Sequence, residues 1–227
     1  MDLLLLGYGK MNRLLDEMAA EGGHRVTATV EVGNPFPAGW SAGLVAIDFS
    51  VPDAVLSHVE RCAAAGIPLV IGTTGWLAQL DAVRALAEHS AAGVVYGANF
   101  SVGVQAFYRV IAAAAAALPA SYEAFVWEAH HRQKKDSPSG TALHLAELLR
   151  HGGHDPGPVA SNRAGALPGT HTVGFDSRDD TLTFTHTARS RRGFAAGALL
   201  AAQWILGRRG LHEFGEVMDS LAAGELQ

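Results

Sequence analysis

The chain has 227 residues, a formal net charge of −5, 48% hydrophobic and 17% charged residues, and one cysteine, Cys62. That length allows one large domain or two small ones, each with a real core, and the composition excludes a disordered chain. The negative charge excludes a basic footprint for nucleic acid, and the lone cysteine excludes an internal disulfide and fits a reducing compartment.

Residues 3–6 are wholly apolar, as expected of a parallel strand covered on both faces. Gly7-Tyr8-Gly9-Lys10-Met11-Asn12 follows, and then Met11, Leu14, Leu15 and Met18 recur at helical spacing. Gly22-Gly23 stops that helix, and residues 26–30 form a second strand ending at Glu31. Strand, glycine turn, helix, strand and an acid about 20 residues beyond the turn is the order of a dinucleotide-binding unit. The first glycine allows the tight turn, the second lets the backbone approach a pyrophosphate, and the acid accepts from ribose hydroxyls. Asn12 stands where the third glycine usually lets helix and strand pack closely, which leaves the seat of the pyrophosphate open. Val32, not an arginine, follows Glu31, so no cation waits there for a 2′-phosphate and the reading leans to NADH over NADPH.

A Pro/Gly/Ala loop is expected at 34–43 and a third strand at 44–49. Ser50 is expected to cap a helix with Pro52 and Asp53 in its first turn, running to about residue 65 and stopping at Gly66; Cys62 is an apolar filler on it. A fourth strand at 68–71 ends in Gly72-Thr73-Thr74-Gly75, a helix covers 76–89, and a fifth strand covers 93–96. Strands alternating with helices predict a parallel sheet with helices on both faces, and ligands of such sheets bind outside the carboxyl ends of the strands. Segments 7–11, Glu31, 48–50, 72–75 and 98–101 fall there. Gly, Thr and Asn are common turn formers in any protein. Five such turns on one edge favour a nucleotide site.

From Val102 the character changes. Residues 102–118 form an alanine-rich helix with Phe107, Tyr108 and Ile111 on its apolar side, and 121–127 alternate as a strand. Residues 128–141, Glu-Ala-His-His-Arg-Gln-Lys-Lys-Asp-Ser-Pro-Ser-Gly-Thr, then form a loop ahead of a helix at 142–150. Two histidines that exchange protons near neutral pH sit there beside Lys134 and Lys135. Ser139 is placed to cap the helix, whose free amides around Gly140 and Thr141 suit a carboxylate or phosphate. After a Gly/Pro/His-rich connection at 151–159, strand character returns at 161–163, 170–175 and 181–187, with a turn at Arg178-Asp179-Asp180; helices are expected at 194–206 and 211–221. The fold class is therefore α/β, a Rossmann-like parallel sheet followed by an α+β domain on an open antiparallel or mixed sheet.

The segment 128–142 closely resembles the signature of the dihydrodipicolinate reductase family. Gly-Tyr-Gly-Lys-Met at 7–11, Gly-Thr-Thr-Gly at 72–75, Ala-Asn-Phe-Ser-Val-Gly-Val at 98–104, and Ser-Asn-Arg-Ala-Gly then Pro-Gly-Thr-His at 161–171 agree with it in order. The resemblance implies reduction of a cyclic unsaturated dicarboxylate to tetrahydrodipicolinate by NADH or NADPH, both of which the family uses. It implies His130 as general acid and Lys134 as its proton-donating partner, His131 as a substrate contact, and Ser139, Gly140 and Thr141 as the holders of a substrate carboxylate. Gly7, Gly9, Lys10, Met11 and Glu31 fall at its nucleotide turn, and Gly72, Thr73, Thr74, Ala98, Asn99 and Phe100 at its contacts nearer the nicotinamide. It also implies a dinucleotide-binding domain at 1–102 completed by 192–227, a substrate-binding and oligomerisation domain at 103–191, crossings near Val102 and Arg191 where closure could bend, and a homotetramer.

A zinc hydrolase using Glu128, His130 and His131 is the rival of a different class. Neighbouring histidines on an extended segment point to opposite faces, which spaces them poorly for one metal, so no metal is expected. A nucleotide sensor that has lost the reaction is a second rival, opposed by the intact His130/Lys134 pair. No basic leader opens the chain, and segment 194–206 is shorter than the ~20 residues that span a bilayer, so a cytoplasmic protein without a membrane partner is expected.

Overall fold

Leu3, Leu4, Leu5 and Leu6 are all fully buried, because the strand that carries them runs through the middle of a sheet covered on both faces. The computed structural model describes residues 1–31, 36 and 43–225; Val32 and most of the loop expected at 34–43 lie outside the described residues. In chain order the elements are β1 (Asp2–Leu6), α1 (Lys10–Glu21), β2 (Arg25–Val30), β3 (Leu44–Asp48), α2 (Val55–Ala65), β4 (Leu69–Ile71), α3 (Leu80–His89), β5 (Gly93–Tyr96) and α4 (Val102–Ala117). They continue as β6 (Glu123–His130), α5 (Gly140–His151), β7 (Ala160–Arg163), β8 (Thr170–Asp176), β9 (Thr181–Thr187), α6 (Arg192–Trp204), β10 (Gly210–Glu213) and α7 (Phe214–Ala222). The chain divides into two units, Met1–Val102 with Arg192–Gln227, and Gly103–Arg191.

The first unit holds a parallel sheet in the order β10-β5-β4-β3-β1-β2. Successive side chains of a strand point to opposite faces. Leu3, Leu5, Val45, Ile47, Val70 and Val95 accordingly share one core with α6 and α7 residues such as Ala198, Trp204 and Val217. Leu4, Leu6, Ala46, Leu69 and Ile71 share the other with Val55, Val59 and Val83 of α2 and α3. The chain moves from β1 to β2 on one side and to β3 on the other, which makes the carboxyl ends of β1 and β3 the switch point where such sheets bind ligands.

The second unit is a mixed sheet, β7-β6-β8-β9, with β6–β7 parallel and the other pairs antiparallel. One face packs Val126, Val173 and Phe175 against Phe107 and Ile111 of α4 and Leu145 and Leu149 of α5. The opposite face carries Phe125 and Trp127, both exposed, and cross-strand hydroxyl pairs Thr170–Thr187 and Thr172–Thr185.

Several local expectations are corrected. Residues 211–213 belong to β10 rather than to a helix; three residues carry too little periodicity to tell the two apart, and pairing with β5 decides. Ser50 caps no helix. Its hydroxyl donates to Asp48 Oδ1, while a 3-10 turn at Pro52–Ala54 precedes α2, and another at Leu77–Gln79 occupies the start expected for the helix at 76–89. Glu128, Ala129 and His130 are not loop but the end of β6, where β8 pairs on one side and β7 on the other.

Helix α6 comes so close to the turn at 98–101 that a Cβ built on Gly197 would lie 1.7 Å from the Phe100 carbonyl oxygen. Phe100 is held there by Phe214, with ring centroids 4.6 Å apart. Gly197→Ala is expected to lower the unfolding free energy by about 2–3 kcal/mol through overpacking, because residues 98–101 must shift. Chemical denaturation checks this.

Candidate active site

At the carboxyl edge of the first unit, Gly7 turns the chain out of β1 with φ 83°, and its amide donates to the Val30 carbonyl at 2.7 Å. Asn12 is fully buried in the first turn of α1. Its Nδ2 donates to the carbonyls of Leu6 and Gly7, each at 2.8 Å. Where a third glycine would bring helix and strand together by lacking a side chain, Asn12 joins them by hydrogen bonds. Helix α1 starts at Gly9, which offers no side-chain cap, and no atom lies within 4 Å of where a Gly9 Cβ would stand. An uncapped helix N-terminus beside open space suits a diphosphate; Lys10 is exposed and Met11 half-buried beside it, and Glu31 is exposed just beyond β2. These residues fit a dinucleotide.

The turns after β3 and β4 are tied together by the fully buried Asp48. Its Oδ1 accepts from the Ser50 amide at 2.8 Å, the Ser50 hydroxyl at 2.6 Å and the Thr73 hydroxyl at 2.8 Å, while His58 Nδ1 lies 2.7 Å from Oδ2. The Thr73 hydroxyl is thus turned inward, whereas Thr74 is exposed. Gly72 lies against the Phe49 ring. Ala98 is exposed, Asn99 half-buried with its Oδ1 accepting from the Ser101 amide at 2.9 Å, and Phe100 buried.

In the second unit, β6 delivers Glu128 and His130, β7 places Arg163 in register with His130, and β8 places His171 opposite Glu128. Arg163 grips Glu128 through both guanidinium nitrogens, Nη1 to Oε2 at 2.9 Å and Nη2 to Oε1 at 2.7 Å. Burial pushes the Glu128 carboxyl up, but Arg163, Ser161 and His130 outweigh it and bring it down to about 2. An ionised carboxylate only accepts, so the short contact between Glu128 Oε2 and His130 Nδ1 has the imidazole as donor. The opposite nitrogen, Nε2, is left to exchange protons. It lies against Gly169, where a Cβ would come within 2.9 Å of it and where φ is 134°. Burial lowers the His130 pKa, Glu128 opposes that, and Lys134 and Arg163 add to it; the net shift is downward.

Lys134 is mostly buried, its ammonium 2.9 Å from Asp136 Oδ1. His131 is half-buried next to it. Ser139 caps α5, accepting from the Ala142 amide at 3.2 Å, and its hydroxyl lies 2.9 Å from His171 Nε2. Burial, with the neighbouring His130, pushes His171 down to about 4. Gly140 is exposed and Thr141 half-buried at the start of α5. An imidazole, an ammonium and a capped helix terminus are therefore brought into one unit.

Arg163, His171 and Asp136 were not singled out from the sequence. Arg163 and His171 lie 33 and 41 residues beyond His130, and strand pairing alone brings them back. The rival zinc set is not assembled. Donor atoms of Glu128, His130 and His171, rather than His131, lie within 4.8 Å of one another. Both Glu128 oxygens are already engaged by Arg163, so a metal would have to displace a guanidinium.

The family description "Dihydrodipicolinate reductase, C-terminus" matches residues 103–218, and "Dihydrodipicolinate reductase, N-terminus" matches residues 41–100. A 4-hydroxy-tetrahydrodipicolinate reductase from Christiangramia forsetii is 34% identical over 97% of this chain and 99% of its own length. One from Myxococcus xanthus is 41% identical over 77% of this chain and 71% of its own. The solved structure of dipicolinate-bound dihydrodipicolinate reductase from Paenisporosarcina sp. TG-14 shares the fold, with a TM-score of 0.77 at 22% identity, covering 94% of this chain and 97% of that one.

Replacing Asn12 by Asp removes two donated hydrogen bonds and sets a carboxylate against two carbonyls. Asn12→Asp is expected to cost about 1–3 kcal/mol of stability and to raise the KM for the nicotinamide cofactor several-fold with kcat nearly unchanged; a thermal melt and an initial-rate series check this.

Proposed function

The chain belongs to the dihydrodipicolinate reductase family, and from that premise we propose that it reduces 4-hydroxy-tetrahydrodipicolinate to tetrahydrodipicolinate with NADH or NADPH, His130 serving as general acid and Lys134 as its cationic partner. The enzyme is an oxidoreductase of lysine and diaminopimelate biosynthesis and uses a nicotinamide cofactor. The observation that carries the residue assignment is the buried His130, its Nδ1 committed to an ionised carboxylate and its Nε2 left over.

Gly7, Gly9, Lys10, Met11 and Glu31 hold the adenosine and diphosphate, and residues 72–74 and 98–100 hold the nicotinamide end. Glu31 favours NADH by accepting from the ribose hydroxyls. Loss of the substrate's 4-hydroxyl as water gives the conjugated ring, to which a bound reduced nicotinamide would supply the hydride. Electron density then left on the ring must be protonated, and His130 Nε2 delivers that proton. Lys134 supplies a point charge for one substrate carboxylate, and the amides of Gly140 and Thr141 at the start of α5 hold the same dianion, with His131 as a further contact. Ser139 keeps that terminus in place by capping it.

The open face of the second sheet is the surface on which copies of the chain form a homotetramer. Its support is the pair of large aromatics, Phe125 at 40% and Trp127 at 37% exposure, on a face covered by no helix of its own unit. Among the described residues, no helix is long and apolar enough to cross a membrane.

Following nicotinamide absorbance with freshly condensed pyruvate and aspartate semialdehyde tests the reaction. His130→Ala and Lys134→Ala are each expected to lose about 100-fold or more in kcat while NADH still binds by fluorescence titration; wild-type rates in either would remove that residue from the mechanism. Trp127→Glu is expected to convert the tetramer to smaller species in light scattering, and an unchanged mass would move assembly to another surface.

A further inference from the structure

A carboxylate with no exposed surface in a sheet is costly unless it is paired, and removing the pairing leaves several kcal/mol of uncompensated charge. Glu128 sits at 0% exposure near the end of β6, where an apolar residue would complete the buried face. Its two oxygens are shared among Arg163, His130 and Ser161. Oε1 takes Arg163 Nη2, and Oε2 takes both Arg163 Nη1 and His130 Nδ1. Arg163 is itself anchored, its Nη1 donating to the Asn162 carbonyl at 2.7 Å and its Nη2 to the Asp136 carbonyl at 2.6 Å. The guanidinium therefore joins β7, the end of β6 and the loop that carries Lys134.

We propose that Glu128, clamped by Arg163, is the positioning residue of the acid. It holds the His130 ring with Nδ1–H inward and Nε2 facing the reacting atoms, and its charge keeps a proton on that ring for delivery. This rests on the reading of His130 as general acid. Glu128 has no exposed surface to offer a ligand and acts through His130, as carboxylates do that orient a catalytic imidazole. The groups facing His130 oppose one another. Glu128 stabilises the imidazolium; Lys134 and Arg163 work against it, and His171, whose ring centroid lies 5.0 Å away, is kept neutral by its own burial. Glu128 is the one anion among them, so deleting its charge tips the balance. Arg163 in turn keeps Glu128 ionised while leaving one lone pair of Oε2 for the imidazole.

The test compares pH profiles of kcat/KM in the full-length enzyme. The wild type is expected to lose activity as pH rises and the imidazolium gives up its proton. Glu128→Gln keeps the shape and an acceptor for Nδ1–H but removes the charge, and its alkaline limb is expected to move down by about one pH unit or more, with the NADH dissociation constant unchanged. Glu128→Asp, which keeps the charge and shortens the reach, is expected to keep the limb in place and lose kcat. An unmoved limb and normal kcat in Glu128→Gln would overturn the proposal while leaving His130 in its role. Wild-type turnover in His130→Asn would instead overturn the general-acid reading. Should Glu128→Gln fail to fold, nitrogen-15 spectra of the wild-type histidines decide: a proton resident on Nδ1 of neutral His130 supports the proposal, and one resident on Nε2 overturns it.

Discussion

The grip of Arg163 on Glu128 is the contact around which the second unit is arranged. A fully buried carboxylate survives in a sheet only if its charge is met, and a guanidinium meets it in two places at once. That single pairing has several structural results. It closes β7 onto β6 in a parallel register, places His130 beside Arg163, and draws the loop after β6 inward through the Asp136 carbonyl. The imidazole then has one nitrogen committed and one available, a division that a solvent-exposed histidine does not have. Gly169 completes the arrangement from β8's side, since any side chain there would meet His130 Nε2.

The first unit solves its own problem in the same way. Asp48, at the end of β3 and fully buried, gathers donors from the turn after β3, the turn after β4 and helix α2. The result is a rigid carboxyl edge built from short polar side chains, at the switch point of the sheet. Asn12 acts similarly one strand away by drawing the start of α1 onto the end of β1. In both units, the turns expected to meet ligands are stiffened from beneath by a buried polar side chain rather than by apolar packing alone. Preorganised turns of this kind present amides and small side chains with little ordering left to do when a ligand arrives.

Most of the architecture was legible in the order of residues because strongly periodic or wholly apolar runs have one good solution. The runs at 3–6 and 93–96 had to be buried strands, and the alanine-rich run from Val102 had to be a helix. The errors fall where local signals are weak or shared. Ser50 and Pro52 look like a helix start, yet the hydroxyl finds a better partner in a carboxylate two residues back. The segment 128–130 is polar enough to look like loop, and stays in strand because ladders on both sides and an ion pair accommodate its charge.

The sequence by itself determined the two-part α/β design, the glycine turn and acid expected at a nucleotide edge, and the cluster of histidine, lysine and helix cap between 130 and 141. Those features are written in short runs, their periodicity and their order along the chain. The tertiary structure alone decided which histidine nitrogen is committed and that Arg163 and His171 share the site with Glu128. These choices depend on strand register, in which a slip of one residue turns every side chain to the other face, and no spacing along the chain records that register.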